Sequence, residues 1–146
     1  MDLYRNLLLA IDFASDANML CQRAAKMAEI HGASLSLVHV VEPIVTDSAF
    51  DTLPPIPVDF EDVHIQQARN QLDQLRQSYD IPEENTFLEI GVTKHEILRV
   101  AQEQSIDLLL LGSHGRHGIE LLLGSTANAV LHHATCDVLA IHLKKQ

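Results

Sequence analysis

Residues 112–126, Gly-Ser-His-Gly-Arg-His-Gly-Ile-Glu-Leu-Leu-Leu-Gly-Ser-Thr, carry the residue types and spacing that most resemble a chemical site. They lie between an apolar run, Leu108 to Leu111, and the segment Ala127 to Leu131, which reads as a helix. A glycine-rich loop between a strand and a helix lets backbone N–H groups converge on an anion, and the helix N-terminus adds unpaired donors and the positive end of its dipole. Ser125 and Thr126 can add hydroxyl donors, and Arg116 and His114 can reach phosphate oxygens, Arg116 through its planar fork. The same pattern also fits a simpler role, in which Gly112, Gly115 and Gly118 turn the chain and Ser125 caps a helix. Asp12, after the first apolar run, is a carboxylate able to accept from a ribose hydroxyl or to hold Mg²⁺ through water, or else a turn residue before Ser15.

Other chemistry finds less support. Gly124-Ser125-Thr126 lacks the lysine of a P-loop, and Ser125 is not in the Gly-x-Ser-x-Gly elbow of a hydrolase. The histidine pairs His114/His117 and His132/His133 have no Cys or carboxylate to complete a set of four, which argues against structural zinc. Cys21 and Cys136 lack metal-type spacing and read as buried thiols.

The elements that must position the loop alternate regularly. Leu3 to Ile11 reads as a strand, with Leu7 to Ile11 apolar on both faces, as central parallel strands are. Ser15 can cap the helix that follows, Asp16 suits its first turn and Gly32 its end, with Ala17, Leu20, Cys21, Ala24, Met27 and Ala28 on one stripe. A second strand covers Ser34 to Val41. The segment from Glu42 to Asp59 holds four of the five prolines and fits no regular element; its Phe50 and Leu53 can cover a ligand or pack on the surface. From Asp59 to Tyr79 the apolar positions Ile65, Ala68, Leu72, Leu75 and Tyr79 share a helical face. A short third strand is expected at Thr86 to Ile90, then a helix opened by the capping box Thr93-Lys-His-Glu96. Asp107 to Leu111 reads as the fourth strand, a helix runs to about His133, and Asp137 to Leu143 reads as the fifth strand. Strand and helix in alternation imply a doubly wound α/β domain, a parallel sheet with helices on both faces.

At 146 residues the chain fits one domain, 1–146. Its formal charge of −10 argues against a nucleic-acid surface but not against one nucleotide held by backbone amides with Mg²⁺. No apolar run approaches the ~20 residues that span a bilayer, and the start lacks the order of a signal peptide, so a soluble, cytoplasmic protein without membrane insertion is expected.

The glycine loop, with Leu7-Leu-Leu-Ala-Ile-Asp12 and Leu37-Val-His-Val-Val41, resembles the universal stress protein family over essentially the whole chain. That family's nucleotide-binding branch carries glycine, two residues, glycine, nine residues, then glycine and serine or threonine. Gly112, Gly115, Gly124 and Ser125 match, but eight residues, Arg116 to Leu123, fill the place of nine. The resemblance implies a five-stranded sheet in the order 3-2-1-4-5, Rossmann-like, with a switch in winding between strands one and four. In such sheets ligands bind outside the carboxyl ends of the strands at that point, here beside Asp12 and Gly112. It also implies that Asp12 contacts a nucleotide, that the Val40 backbone meets an adenine edge, and that ATP, with Mg²⁺, is the ligand. A homodimer through the fifth strand follows from the resemblance and from an apolar sheet edge with unpaired backbone groups. Three readings remain: an ATP-binding regulator whose nucleotide sets conformation or oligomeric state, acting on an unidentified protein partner; an ATPase, slow at most; and a nucleotide-free interaction module.

Overall fold

In the computed structural model the described residues are 3–13, 16–43, 58–112 and 125–142, with 58–61 described by backbone only. The elements are β1 (Asn6–Ala10), α1 (Ala17–His31), β2 (Ser34–Val41), α2 (Val58–Ser78), β3 (Thr86–Ile90), α3 (Thr93–Glu103), β4 (Leu108–Gly112), α4 (Ser125–His133) and β5 (Asp137–Ile141). All described strand pairs are parallel and the order is β3-β2-β1-β4-β5, as expected.

The apolar runs become central strands because both faces of the sheet are covered. Leu7, Leu8 and Leu9 have no exposed surface at all. Their side chains alternate between two cores, as a strand's period of two requires. Leu7 and Leu9 join Leu37, Leu110, Leu20, Cys21, Ala24 and Leu72 under α1 and α2. Leu8 joins Val38, Leu109, Ile97, Val100 and Val130 under α3 and α4. Burying a leucine of this kind contributes about 1.5–3 kcal/mol each.

Several boundaries differ from expectation. The first strand does not begin at Leu3, which is exposed, because the Asp107 carboxylate accepts from the backbone N–H of Arg5 at 2.8 Å and of Asn6 at 3.0 Å. Asp107 therefore ties the entrances of the two central strands together, and β4 starts after it and reaches Gly112. Asp16 occupies the cap position of α1, not its first turn, and makes no side-chain cap bond. Ser15, the expected cap, lies outside the described residues. Gly32 ends α1 with φ 62°, in the left-handed region that glycine enters without steric cost.

The expected capping box at α3 does not form. Thr93 is already helical, and its backbone N–H and hydroxyl both donate to the Glu42 carboxylate, at 3.2 and 2.8 Å. Glu96 turns instead to Arg99, at 2.6 Å, drawn by an opposite charge one turn away. A carboxylate just past the end of β2 thus serves the Thr93 N–H that the local box was expected to serve, while Glu96 N–H donates to the Val92 carbonyl at 3.0 Å. At the far edge β5 ends at Ile141, and Leu143 lies outside the described residues.

Candidate functional site at the switch point of the sheet

β1 lies between β2, which continues to β3, and β4, which continues to β5, so the winding direction reverses between β1 and β4. The carboxyl ends of these strands carry three of the expected site residues. Leu9 pairs with Leu110, which puts Gly112 level with Ile11, one residue before Asp12. Asp12 is exposed, Gly112 half-buried, and the Val40 side chain is packed in the core under α3 and α4. Among the described residues Ser125 and Thr126 open α4, two residues before its expected start at Ala127, and a helix start has backbone N–H groups without intrahelical partners. The remaining expected loop residues, Gly115, Arg116 and Gly124, with His114 and Gly118, lie outside the described residues.

Val40 takes part through its backbone. The registered pairing of β1 with β2 ends at Ala10 opposite Val38, and the Val38 carbonyl accepts from Ile11 N–H at 3.0 Å. In a strand the backbone groups of alternate residues face the same side, so those of Val40 face the side of β1. Val41 faces the other way, its carbonyl accepting from Gly91 N–H at 3.1 Å. One further ladder bond would join Val40 N–H to the Ile11 carbonyl, and among the described residues that bond is not made. The Ile11 carbonyl instead lies 2.8 Å from Nδ1 of His39. Because a carbonyl only accepts, Nδ1 carries the proton in this contact.

His39 is therefore a part of the site that residue types and spacing did not single out. It is 8% exposed, in a strand whose other buried members are nearly all aliphatic, and a polar side chain inside the run Leu37-Val-His-Val-Val41 was the available signal. Its ring meets the edge of Phe13 with centroids 4.6 Å apart and planes at 60°. Phe13 itself has φ 37°, a backbone conformation that costs a non-glycine residue energy and that clusters at functional sites. Glu42 was missed as well; it joins the exit of β2 to the start of α3 as described above.

Beyond Phe13 a groove of about 280 Å³ runs between α1 and α2, lined by Asn18, Gln71, Gln74, Leu75 and Ser78. Among the described residues no charged group lines it. Burial pushes the Cys21 thiol up to about 12 and the Cys136 thiol also upward, so neither supplies a thiolate at neutral pH. Among the described residues no three His, Cys, Asp or Glu side chains are grouped to hold a metal, and no helix is long and apolar enough to cross a membrane.

The model of the universal stress protein family matches residues 3–142, from before β1 to just past β5. The chain belongs to the universal stress protein family. Within that family it is 40% identical to universal stress protein A homolog 1 of Coxiella burnetii over 144 residues, covering 97% of this chain and 99% of the relative. Among solved structures it is similar to the universal stress protein UspA from Lactobacillus plantarum, with 28% identity, a TM-score of 0.79, and coverage of 94% and 97% of the two chains. It shares the fold of a universal stress protein solved in complex with cAMP, at 17% identity and a TM-score of 0.67, covering 95% of this chain and 97% of that one. At the carboxyl ends of β1, β2 and β4 the fold gathers a carboxylate, a strand amide turned aside from its ladder and a glycine at a strand end, and the start of α4 carries two hydroxyl residues whose backbone donors suit an anionic group.

Proposed function

We propose that the protein is an adenine-nucleotide-binding regulator of the universal stress protein family, taking ATP with Mg²⁺ at the switch point of the sheet. The observation that carries this reading is the release of the Val40 backbone from the β1 ladder at the level where Asp12 and Gly112 emerge. A hydrogen-bonding edge on one side and a phosphate-type loop on the other, with a carboxylate between them, suit base, triphosphate and ribose in that order. The sequence of the loop supports the phosphate end through Gly112, Gly115, Gly124, Ser125 and Thr126, with Arg116 able to meet a terminal oxygen. Asp12 suits a ribose hydroxyl or a water on Mg²⁺. The cAMP held by one relative of the same fold is an adenine nucleotide and favours that ligand class.

Hydrolysis in this reading is slow at most, since no lysine follows Gly124 and neither cysteine is ionised. The nucleotide acts by setting conformation or oligomeric state, with a homodimer through β5 and a partner protein that reads it. A nucleotide-free interaction module is the competing reading, favoured by the one-residue shortening between Gly115 and Gly124. Mass spectrometry of the small molecules released from purified, denatured protein separates them. Stoichiometric adenine nucleotide supports the first reading; protein of full purity that releases none, and acquires none on incubation with Mg²⁺ and ATP, supports the second.

A further inference from the structure

His39 stands at the one place where the β1–β2 ladder is broken off early, and it occupies the acceptor that would have continued it. Two of its contacts fix it there. Nδ1–H donates to the Ile11 carbonyl at 2.8 Å, and the ring packs edge-on against Phe13, the residue with the unfavourable positive φ. Asp12 lies between these two anchors, with Ile11 held on one side and Phe13 on the other. Both contacts reach 28 or 26 positions along the chain, so neither is a by-product of local turn geometry. A strained backbone persists only where its surroundings over-determine it, and the imidazole supplies two such constraints.

We infer that His39 is a positioning residue of the nucleotide site. It engages the Ile11 carbonyl, leaves the Val40 N–H turned toward the crevice for an acceptor on the base, and fixes the turn that presents Asp12 to the ribose or metal end. This inference rests on the nucleotide reading for its consequence, but the structural device is present without ligand. A simple core role predicts that any buried side chain of similar volume serves. A positioning role predicts that the donor matters, because a chain lacking it lets Val40 N–H close the ladder on Ile11 and withdraws that group from the ligand.

The test compares His39→Leu with His39→Asn. Asparagine places its amide nitrogen near the position of Nδ1 and keeps the donor while giving up the ring; leucine keeps the volume and gives up the donor. By calorimetry with Mg²⁺ and ATP, His39→Leu is expected to lose roughly tenfold or more in affinity, while His39→Asn, which keeps the donor and gives up only the ring contact with Phe13, is expected to lose clearly less. Equal affinity of wild type and a folded His39→Leu, or equal losses in both variants, overturns the inference. Should His39→Leu not fold, the wild type decides: ¹⁵N spectra must show the imidazole protonated on Nδ1 at neutral pH, and an Nε2–H tautomer overturns it. If the wild type binds no adenine nucleotide, the nucleotide reading fails separately. The positioning device is then judged on the amide exchange of Val40, which must be slower in His39→Leu than in wild type and is overturned if it is unchanged.

Discussion

Replacing Leu139 by lysine should weaken the homodimer proposed through β5 while leaving the subunit folded. Leu139 lies in β5, the edge strand next to β4, and is 37% exposed although its neighbours Val138 and Ala140 are packed into the core beneath α3 and α4. Full burial of a leucine is worth about 1.5–3 kcal/mol, so covering the exposed third of this one gains roughly 0.5–1 kcal/mol. A two-fold pairing of β5 with a second β5 counts that gain twice, which places the contribution of the two side chains at about 1–2 kcal/mol, or roughly a five- to thirtyfold change in the dimer dissociation constant. Lysine adds a like-charge pair facing across the new interface, so the change should reach at least the upper end of that range. The folded monomer should lose little, because the exposed part of the side chain was in water already. Sedimentation equilibrium across a concentration series reads the constant, and urea unfolding reads the subunit. A wild type that sediments as a monomer at micromolar concentration, or a Leu139→Lys variant with the wild-type dissociation constant, refutes the edge-strand argument.

Leu72→Ala should cost about 2–5 kcal/mol in urea unfolding, since Leu72 is 1% exposed and carries α2 into the core shared with α1. Cys21 has an ordinary thiol value of 9.0 that burial raises to about 12 in the folded chain; the thiol therefore adds stability below pH 9 that is lost as pH rises from 9 toward 12. Cys21→Ala should flatten that alkaline fall in melting temperature, and iodoacetamide at pH 8 should leave Cys21 unmodified until the protein unfolds. Mg²⁺ with ATP at ~100 times the dissociation constant should add roughly 2.7 kcal/mol to stability, read as a rise in melting temperature, with phosphate release well below about 1 per second.

The parts of the fold that were legible in the residues are those governed by short-range or periodic physics. Leu7 to Leu9 and Leu108 to Leu111 are apolar without alternation, which suits a strand covered on both faces, and they became two of the three interior strands. Gly32 marked a helix end because few other residues take a left-handed φ cheaply. What could not be seen were bonds made by residues distant in sequence. Thr93 and Glu96 have the spacing of a capping box, yet Glu42, 51 positions earlier than Thr93, brings a carboxylate to the Thr93 N–H and Arg99 draws Glu96 away. Asp107 shortens a strand that begins about a hundred residues before it. His39 was visible only as a polar side chain in an apolar run, and its meaning depends on where the ladder with β1 stops. Of the candidate site, Asp12, Val40 and Gly112 come together because topology alone determines where strands end, whereas Ser125 and Thr126, read as lying before a helix from Ala127, are already helical.

The claim that matters most is that the glycine loop still holds phosphate with eight residues in place of nine. Calorimetric titration of Mg²⁺ and ATP into wild type and Gly115→Val tests it most directly, with circular dichroism on both proteins. A β-branched side chain at Gly115 blocks close approach of the ligand or a positive φ there, so the wild type should bind and the variant, with an unchanged spectrum, should not. A folded Gly115→Val that binds ATP as tightly as the wild type, or a wild type that gives no heat of binding, would contradict the account and leave the nucleotide-free interaction module in its place.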